Sequence, residues 1–375
     1  MDPKNRLNDD EDRVNANIGR VRARRHRLRD DHVTLAHGAG GKASAALVEN
    51  VFWEIFGGDV LPDGGDSAVL PLDGLLGAGA GDGGAAAGSL AMSTDSYVVN
   101  PIEFPGGDIG ELAVNGTVND LAVAGAVPKA ITAAFVLEEG LPIEVLRRIV
   151  ESMARAAEAA GVGIVAGDTK VVPRGACDKL YITTAGVGVV PAGRRTGYSE
   201  IEEGDRIIVS GPIADHGMAV MMARGDLAID APIQSDTRAV NGLVEALFAA
   251  VPDVRFLRDA TRGGLATVMN ELARGSGKGI ALDDGAIAVR DMTRAACDML
   301  GIDPLYVANE GTFAAVVPEA AADAAVAALH DAGAPEARAI GRVVAEPAAS
   351  VVLVTGFGGT RMVDMLVGDP LPRIC

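Results

Sequence analysis

Strand-like and helix-like segments alternate along nearly the whole chain, and one polar break, Pro191-Ala192-Gly193-Arg194-Arg195-Thr196-Gly197, divides the alternation in two. This pattern argues against all-helical and all-strand folds. It predicts two mixed αβ domains with substantial sheet, an α+β architecture. At 375 residues the chain is long enough for each half to contribute a core. We expect a polar arm over 1–31, an N-terminal domain over 32–193, a C-terminal domain over 194–365 and a flexible tail over 366–375. The arm carries six arginines between Arg20 and Arg29 and few large apolar residues. That composition predicts a disordered extension, with a nucleic-acid or partner contact as the alternative.

In the first half, a short strand over 33–36 runs into the turn His37-Gly38-Ala39-Gly40-Gly41-Lys42. A helix follows, with Leu47, Val51 and Ile55 on one face. Residues 67–70 predict a strand, 73–89 a loop of Gly, Ala and Asp, and 90–93 a strand that delivers Asp95. Asp108 is placed to cap a helix running to about Ala126, whose narrow face is Ile109, Ala113, Gly116 and Asp120. The next helix is predicted with Pro142 at its first turn and Gly161 beyond its end. A strand over 162–166 leads into the turn Gly167-Asp168-Thr169-Lys170, and residues 180–190 form another strand. The second half predicts strands over 206–210, 279–282, 312–317 and 350–355. Helices are predicted over 214–224, 237–250, 263–274, 293–300 and 318–332.

A net charge of −18 and a pI near 4.7 oppose binding to nucleic acid or to anionic membranes. Three cysteines without paired spacing argue against a disulfide framework or a zinc site, and fit a reducing compartment. No apolar run reaches the ~20 residues needed to cross a bilayer, and we expect a cytoplasmic protein.

Gly38, Gly40 and Gly41 expose amides beside a helix start, which suits a phosphate. They do not complete a Walker motif, because Ala36 and Ala43 stand where Gly and Ser or Thr are needed. With Ala43 and Asp59 they loosely match a dinucleotide fingerprint, and a plain flexible turn is the third reading. Asp66, Asp95, Asp120 and Asp168 each sit at a strand end or helix edge among small residues. Singly they are cap or turn residues; convergent, they would repel one another until a cation such as Mg²⁺ with nucleotide phosphates neutralised them. Lys170, two residues beyond Asp168 on an extended backbone, points to the same side and would balance phosphate charge or form a surface ion pair. Glu310, beside Gly311 between two apolar strands, is either a catalytic carboxylate or a hairpin-turn residue. Asp259-Ala260-Thr261-Arg262-Gly263-Gly264 is a polar turn opening a helix, for phosphate or for capping. Cys297 falls on an apolar helix face and Cys177 in a polar loop. His37 and His216 have no partner at a diagnostic spacing. Cys375 closes the sequence, where a thiol is not explained by core packing.

These segments taken in order resemble the HypE family of hydrogenase maturation proteins, within the aminoimidazole ribonucleotide synthetase-like (PurM-like) ATP-binding superfamily. The resemblance rests on residues 37–41, Ser93-Thr94-Asp95-Ser96-Tyr97-Val98-Val99, Phe104-Pro105-Gly106-Gly107-Asp108-Ile109-Gly110 and Gly116-Thr117-Val118-Asn119-Asp120. It rests equally on Gly167-Asp168-Thr169-Lys170-Val171-Val172, residues 259–264, Asn309-Glu310-Gly311 and Pro372-Arg373-Ile374-Cys375. It implies a homodimer formed through the N-terminal sheet, with ATP and Mg²⁺ in a cleft. Asp66, Asp95, Asp120 and Asp168 would hold Mg²⁺-ATP, and Lys170 and Glu310 would flank the reacting group. That group is a carboxamide received on Cys375 from a HypF-like carbamoyltransferase. Its ATP-dependent dehydration gives a thiocyanate, whose cyano group passes to a HypC–HypD-like iron scaffold for nickel-iron hydrogenase. An ATP-dependent small-molecule kinase or synthetase of the superfamily, and a non-catalytic nucleotide-gated carrier, are the alternatives. Gly65 stands before Asp66 where superfamily relatives often carry a second acid, and the resemblance is silent on the arm and on 73–89.

Overall fold

The computed structural model describes residues 36, 41–52, 67–71, 88–225, 232–366 and 373–375. The whole arm, Gly38, Gly40, Asp59, Asp66 and most of 73–89 lie outside the described residues. Two sheets organise the rest. The first has the order β1-β2-β7-β5-β6, built from β1 (Ala68–Pro71), β2 (Ser89–Tyr97), β5 (Val127–Glu138), β6 (Gly163–Val172) and β7 (Leu180–Val190). The hairpin of β3 (Glu103–Phe104) and β4 (Gly107–Asp108) enters helix α2 (Ile109–Val123), and α3 (Ile143–Ala160) follows β5. A first helix, α1 (Gly41–Leu47), precedes them.

The second sheet follows the 191–197 break. It has the order β14-β13-β10-β12-β8-β11-β9. Its strands are β8 (Arg206–Val209), β9 (Phe256–Asp259), β10 (Gly279–Asp283), β11 (Phe313–Val317), β12 (Arg338–Val344), β13 (Val351–Val354) and β14 (Thr360–Val363). Helices α5 (Asn241–Ala250), α6 (Gly264–Ser276) and α8 (Ala322–Asp331) pack against it, whereas α4 (Asp215–Ala223) and α7 (Asp291–Leu300) bury residues in a core with the first domain. Strands β9, β12 and β14 are absent from the sequence reading. β9 carries Arg258 and Asp259 in four residues, β12 is interrupted by Gly341 at a register shift, and β14 is an exposed edge strand. Alternation is masked in each case.

Helix α2 is the central element. Asp108 caps it as its position predicts, accepting from the Gly110 and Glu111 amides at 2.7 and 3.0 Å. Its apolar residues are not confined to one narrow face, however: 13 of its 15 residues are buried, because sheet, α3 and the second domain enclose it. Leu112, Ala113 and Val118 join a core shared with Met218, Ala219 and Val220 of α4, while Ala122 and Val123 enter a core built mostly by the second sheet and its helices. The two halves therefore share their cores, and α2 lies where they meet. In contrast, α3 is amphipathic, burying Ile149 and Met153 and ending at Gly161 with φ 69°. Pro142 is its cap residue rather than part of its first turn.

Three local expectations change. Asp95 lies inside β2, because the strand runs on to Tyr97, and Asp168 and Lys170 lie inside β6, because β5 pairs with β6 through Val172. Glu310 does not join two strands; a short 3-10 turn, Pro304–Tyr306, precedes its loop, and only β11 follows.

Candidate active site

Along β2, Ala91, Ser93 and Tyr97 turn inward to α2, and Met92, Thr94 and Ser96 turn to the open face. By the two-residue period of a strand, Asp95 belongs to the inward set. Helix α2 answers with Gly116, Thr117 and Asp120, three and four apart on one side. Ser93 Oγ donates to Asp120 Oδ2 at 2.6 Å, and the Tyr97 hydroxyl donates to Asp95 Oδ2 at 3.1 Å. Gly116 is required here: a Cβ on it would stand 2.2 Å from the Tyr97 hydroxyl oxygen. Burial above all, then Asp95, Asp120 and Glu310, holds the Tyr97 phenol well above its ordinary pKa, so it remains a neutral donor.

Glu310 faces this group from the second domain. It is 3% exposed, and its Oε1 has no hydrogen-bond partner among the described residues. Desolvation is the largest cause pushing its carboxyl well above the usual range, followed by Asp259, Asp236 and Asp95, while Arg262 pulls the other way. Its backbone is held on three sides. The Asp236 carboxylate accepts from the Glu310 and Gly311 amides at 3.0 and 3.1 Å, and Asn119 Nδ2 donates to the Glu310 carbonyl at 3.0 Å. Asn309, fully buried, accepts from the Ala214 amide and donates to the Ala260 carbonyl, both at 2.7 Å. A buried carboxyl held so firmly, with one oxygen unclaimed, is suited to receive a proton.

The C-terminal segment docks in the same region. The amides of Val98 and Asn100 donate to the carbonyls of Cys375 and Arg373 at 3.1 and 3.4 Å. Arg224, at the end of α4, donates to the Arg373 carbonyl at 2.6 Å, and Arg373 forms an ion pair with Asp178. The Ile374 side chain is 1% exposed within the core shared with α4, a burial that stabilises docking by about 2–3 kcal/mol. Cys375 is the strongest influence raising the pKa of Arg262, ahead of Asp95, Glu310 and Tyr97. Arg262 is exposed, so water screens these attractions, but Cys375, Asp95, Glu310 and Tyr97 all lie within reach of its charge.

Of the four aspartates expected to converge, Asp95 and Asp120 meet across β2 and α2, and Asp66 lies outside the described residues. Asp168 is elsewhere. The register runs Asp168, Ala134, Thr183, Ser96 across four strands, which places Asp168 on the open face with Ser96 and ~14 Å from β2. There it pairs with Lys170 at 2.5 Å, which, as the largest cause, lowers the Asp168 pKa; both side chains are exposed. No group of three or more potential metal-binding side chains occurs among the described residues. Gly41 starts α1 with φ 77°, beside the Leu366 carbonyl that accepts from the Lys42 amide at 3.1 Å. Sequence reasoning gave Tyr97, Asn119 and His216 no catalytic or binding role, although the first two lie within the quoted motifs, and it singled out Arg262 only as part of the 259–264 turn. His216 carried no local signal. Its partners are 19 and 158 residues away. A separate cavity of about 570 Å³, lined by Asp215, Ser235, Asp236, Arg238, Arg290 and neighbours, lies behind the Glu310 loop. Among the described residues no helix is long and apolar enough to cross a membrane.

Comparison with known proteins agrees with this architecture. The models of the AIR synthase related protein N-terminal and C-terminal domains match residues 64–190 and 202–354. Carbamoyl dehydratase HypE of Rhodobacter capsulatus is 52% identical over 93% of this chain and 99% of its own length. A HypE chain in a crystal structure of a HypE–HypF complex has a TM-score of 0.78 and 42% identity, covering 86% of this chain and 100% of that one. A crystal structure of HypE in complex with ATP has a TM-score of 0.73 and 43% identity, covering 92% and 100%. The chain belongs to the AIR synthase related family and, within it, to the HypE carbamoyl dehydratases.

Proposed function

We propose that the chain uses ATP to dehydrate an S-carboxamide on Cys375 to an S-thiocyanate, supplying the cyanide ligand for nickel-iron hydrogenase maturation. The observation that carries this reading is the docking of the C-terminal segment on the end of β2, which brings Cys375 beside Arg262, whose charge also feels Asp95, Glu310 and Tyr97. The carboxamide oxygen takes the γ-phosphoryl group and ADP leaves. Loss of both nitrogen protons and departure of phosphate then leave S–C≡N. Glu310, buried and basic, accepts a nitrogen proton, and Arg262 balances charge on the oxygen side.

ATP binding is supported by the ATP complex of a 43% identical relative. Asp95 and Asp120 with the Ser93 hydroxyl form an oxygen-only donor set that fits Mg²⁺. Bound there with ATP, the ion would neutralise phosphate charge. The glycines Gly38, Gly40 and Gly41 would cradle phosphates at the start of α1. Asp66 would complete the acid set.

Asp168 and Lys170 lie on the sheet face opposite α2, which also exposes Met92, and on the edge strand β6, which further exposes Ile164, Val165 and Val171. A homodimer through this sheet would cover that face and offer Asp168 and Lys170 to the other copy, where Lys170 would reach the phosphates. The solved HypE–HypF complex of a relative supports a HypF-like carbamoyltransferase as donor, and a HypC–HypD-like scaffold would accept the cyano group.

Intact-mass measurement tests the reading. Protein incubated with the carbamoyltransferase, carbamoyl phosphate and ATP should lose one water from its carbamoylated form, and Cys375→Ala should show neither species. A carbamoylated native chain that never loses water refutes the proposal. Asp120→Asn should abolish nucleotide hydrolysis.

A further inference from the structure

His216 stands in the first turn of α4, fully buried, yet both ring nitrogens are engaged. Nε2 lies 2.6 Å from the Ile374 carbonyl oxygen and Nδ1 2.8 Å from Ser235 Oγ. A carbonyl only accepts, so Nε2 carries the proton, and a neutral ring then leaves Nδ1 as an acceptor for the Ser235 hydroxyl. The Thr237 amide donates to Ser235 Oγ at 3.1 Å, which leaves that hydroxyl's own proton free to point at the ring. The chain Thr237 N–H to Ser235 O–H to His216 Nε2–H to Ile374 carbonyl thus runs in one direction. Burial keeps the ring neutral against the nearby Asp236, in agreement with this tautomer.

The ring is also fixed in orientation. Phe104 meets it edge-on, with centroids 5.5 Å apart, and the Ser235 amide donates to the Pro105 carbonyl at 2.8 Å. Residues from the β3–β4 hairpin, α4 and the 234–237 stretch therefore aim one N–H at one carbonyl of the docked segment.

We propose that His216 is the positioning residue for the reacting group: its Nε2–H seats the Ile374 carbonyl and thereby sets where the next side chain, Cys375, stands. It touches no reacting atom. Arg224 and the Val98 and Asn100 amides also donate to backbone carbonyls of residues 373–375, so the docking site recognises the path of the segment, and His216 adds a neutral side-chain donor. This inference rests on the proposed carrier role of Cys375 for its meaning, but its test needs no ATP and no carbamoyl group.

The test uses the full chain and two readouts: the rate of Cys375 alkylation by iodoacetamide, resolved from Cys177 and Cys297 by peptide mass, and hydrogen exchange at the Val98 and Asn100 amides. In His216→Ala, Cys375 alkylation should rise about tenfold, the scale of one lost buried hydrogen bond, with both amides exchanging faster and the two buried thiols unchanged. His216→Gln, whose side-chain amide again offers an N–H, should recover most of the protection. Unchanged alkylation in His216→Ala, or failure of Gln to improve on Ala, overturns the proposal. Should His216→Ala lose its fold, Ser235→Ala decides, because it removes only the hydroxyl that fixes the tautomer. A rise in Cys375 alkylation then supports the proposal, and no rise overturns it. A chain that docks its thiol in this way but never dehydrates a carboxamide would refute the proposed function alone.

Discussion

Two acidic groups on the N-terminal sheet look alike as sequence and differ completely as chemistry. Asp95 sits on the inward face of β2, tied to Tyr97 and facing a buried Glu310 whose proton affinity is raised. Asp168 sits on the open face of the edge strand β6, exposed, with its proton affinity lowered by Lys170. Both are an aspartate flanked by small residues. One strand position inverts the side of the sheet, and with it the dielectric and the partners. The difference teaches that an acid's role here is set by face and layer, not by local motif.

The comparison breaks most sharply at Glu310. Glu310→Gln should reduce thiocyanate formation about 10²- to 10⁴-fold while leaving the fold intact, measured by intact mass and thermal melting. The folded chain holds the Glu310 proton more tightly than the unfolded chain, so its contribution to stability is full below the ordinary carboxyl range and is lost as pH rises through the elevated folded value. Glu310→Gln should remove that loss, and a stability–pH curve identical to the native one would contradict the assignment. Next comes the support of that loop. Asn119→Ala leaves the Glu310 and Arg238 carbonyls and the Val240 amide without their side-chain partner. It should cost about 2–3 kcal/mol in denaturant unfolding.

A smaller effect is expected on the Asp95 side. Gly116→Ala must displace the Tyr97 hydroxyl, costing about 1–3 kcal/mol and slowing nucleotide hydrolysis more than the stability loss alone would. Least of all, Asp168→Asn should leave the melting temperature of the chain unchanged at concentrations too low for the proposed homodimer, because its ion pair is then exposed to water. A clear drop would mean that the open face is covered in solution, which sedimentation would then show as a dimer.

Much of the architecture was legible because period and punctuation agree. Strand 180–190, the Asp108 cap and the Gly161 end are each set by local chemistry. The site was legible in its parts, such as Glu310 and Asp95, because an acid among glycine or other small residues stands out beside an apolar strand. Two things were not. The face occupied by Asp168 depends on register across four strands, and the role of His216 depends on a carbonyl 158 residues away. Neither leaves a trace at short range.

The contact between Leu366 and the start of α1 has a kinetic meaning. Leu366 is held beside Gly41 and Lys42, and Arg373 is held again at Asp178, two fixed points shortly before the thiol. A thiol borne on so short a leash experiences its site at a local concentration fixed by geometry rather than by solution, on the order of millimolar or more. For such a carrier the dehydration step should be first order in the protein at every dilution that preserves the assembly. Saturation would then be governed by ATP and by delivery of the carbamoyl group, not by how often enzyme and substrate meet.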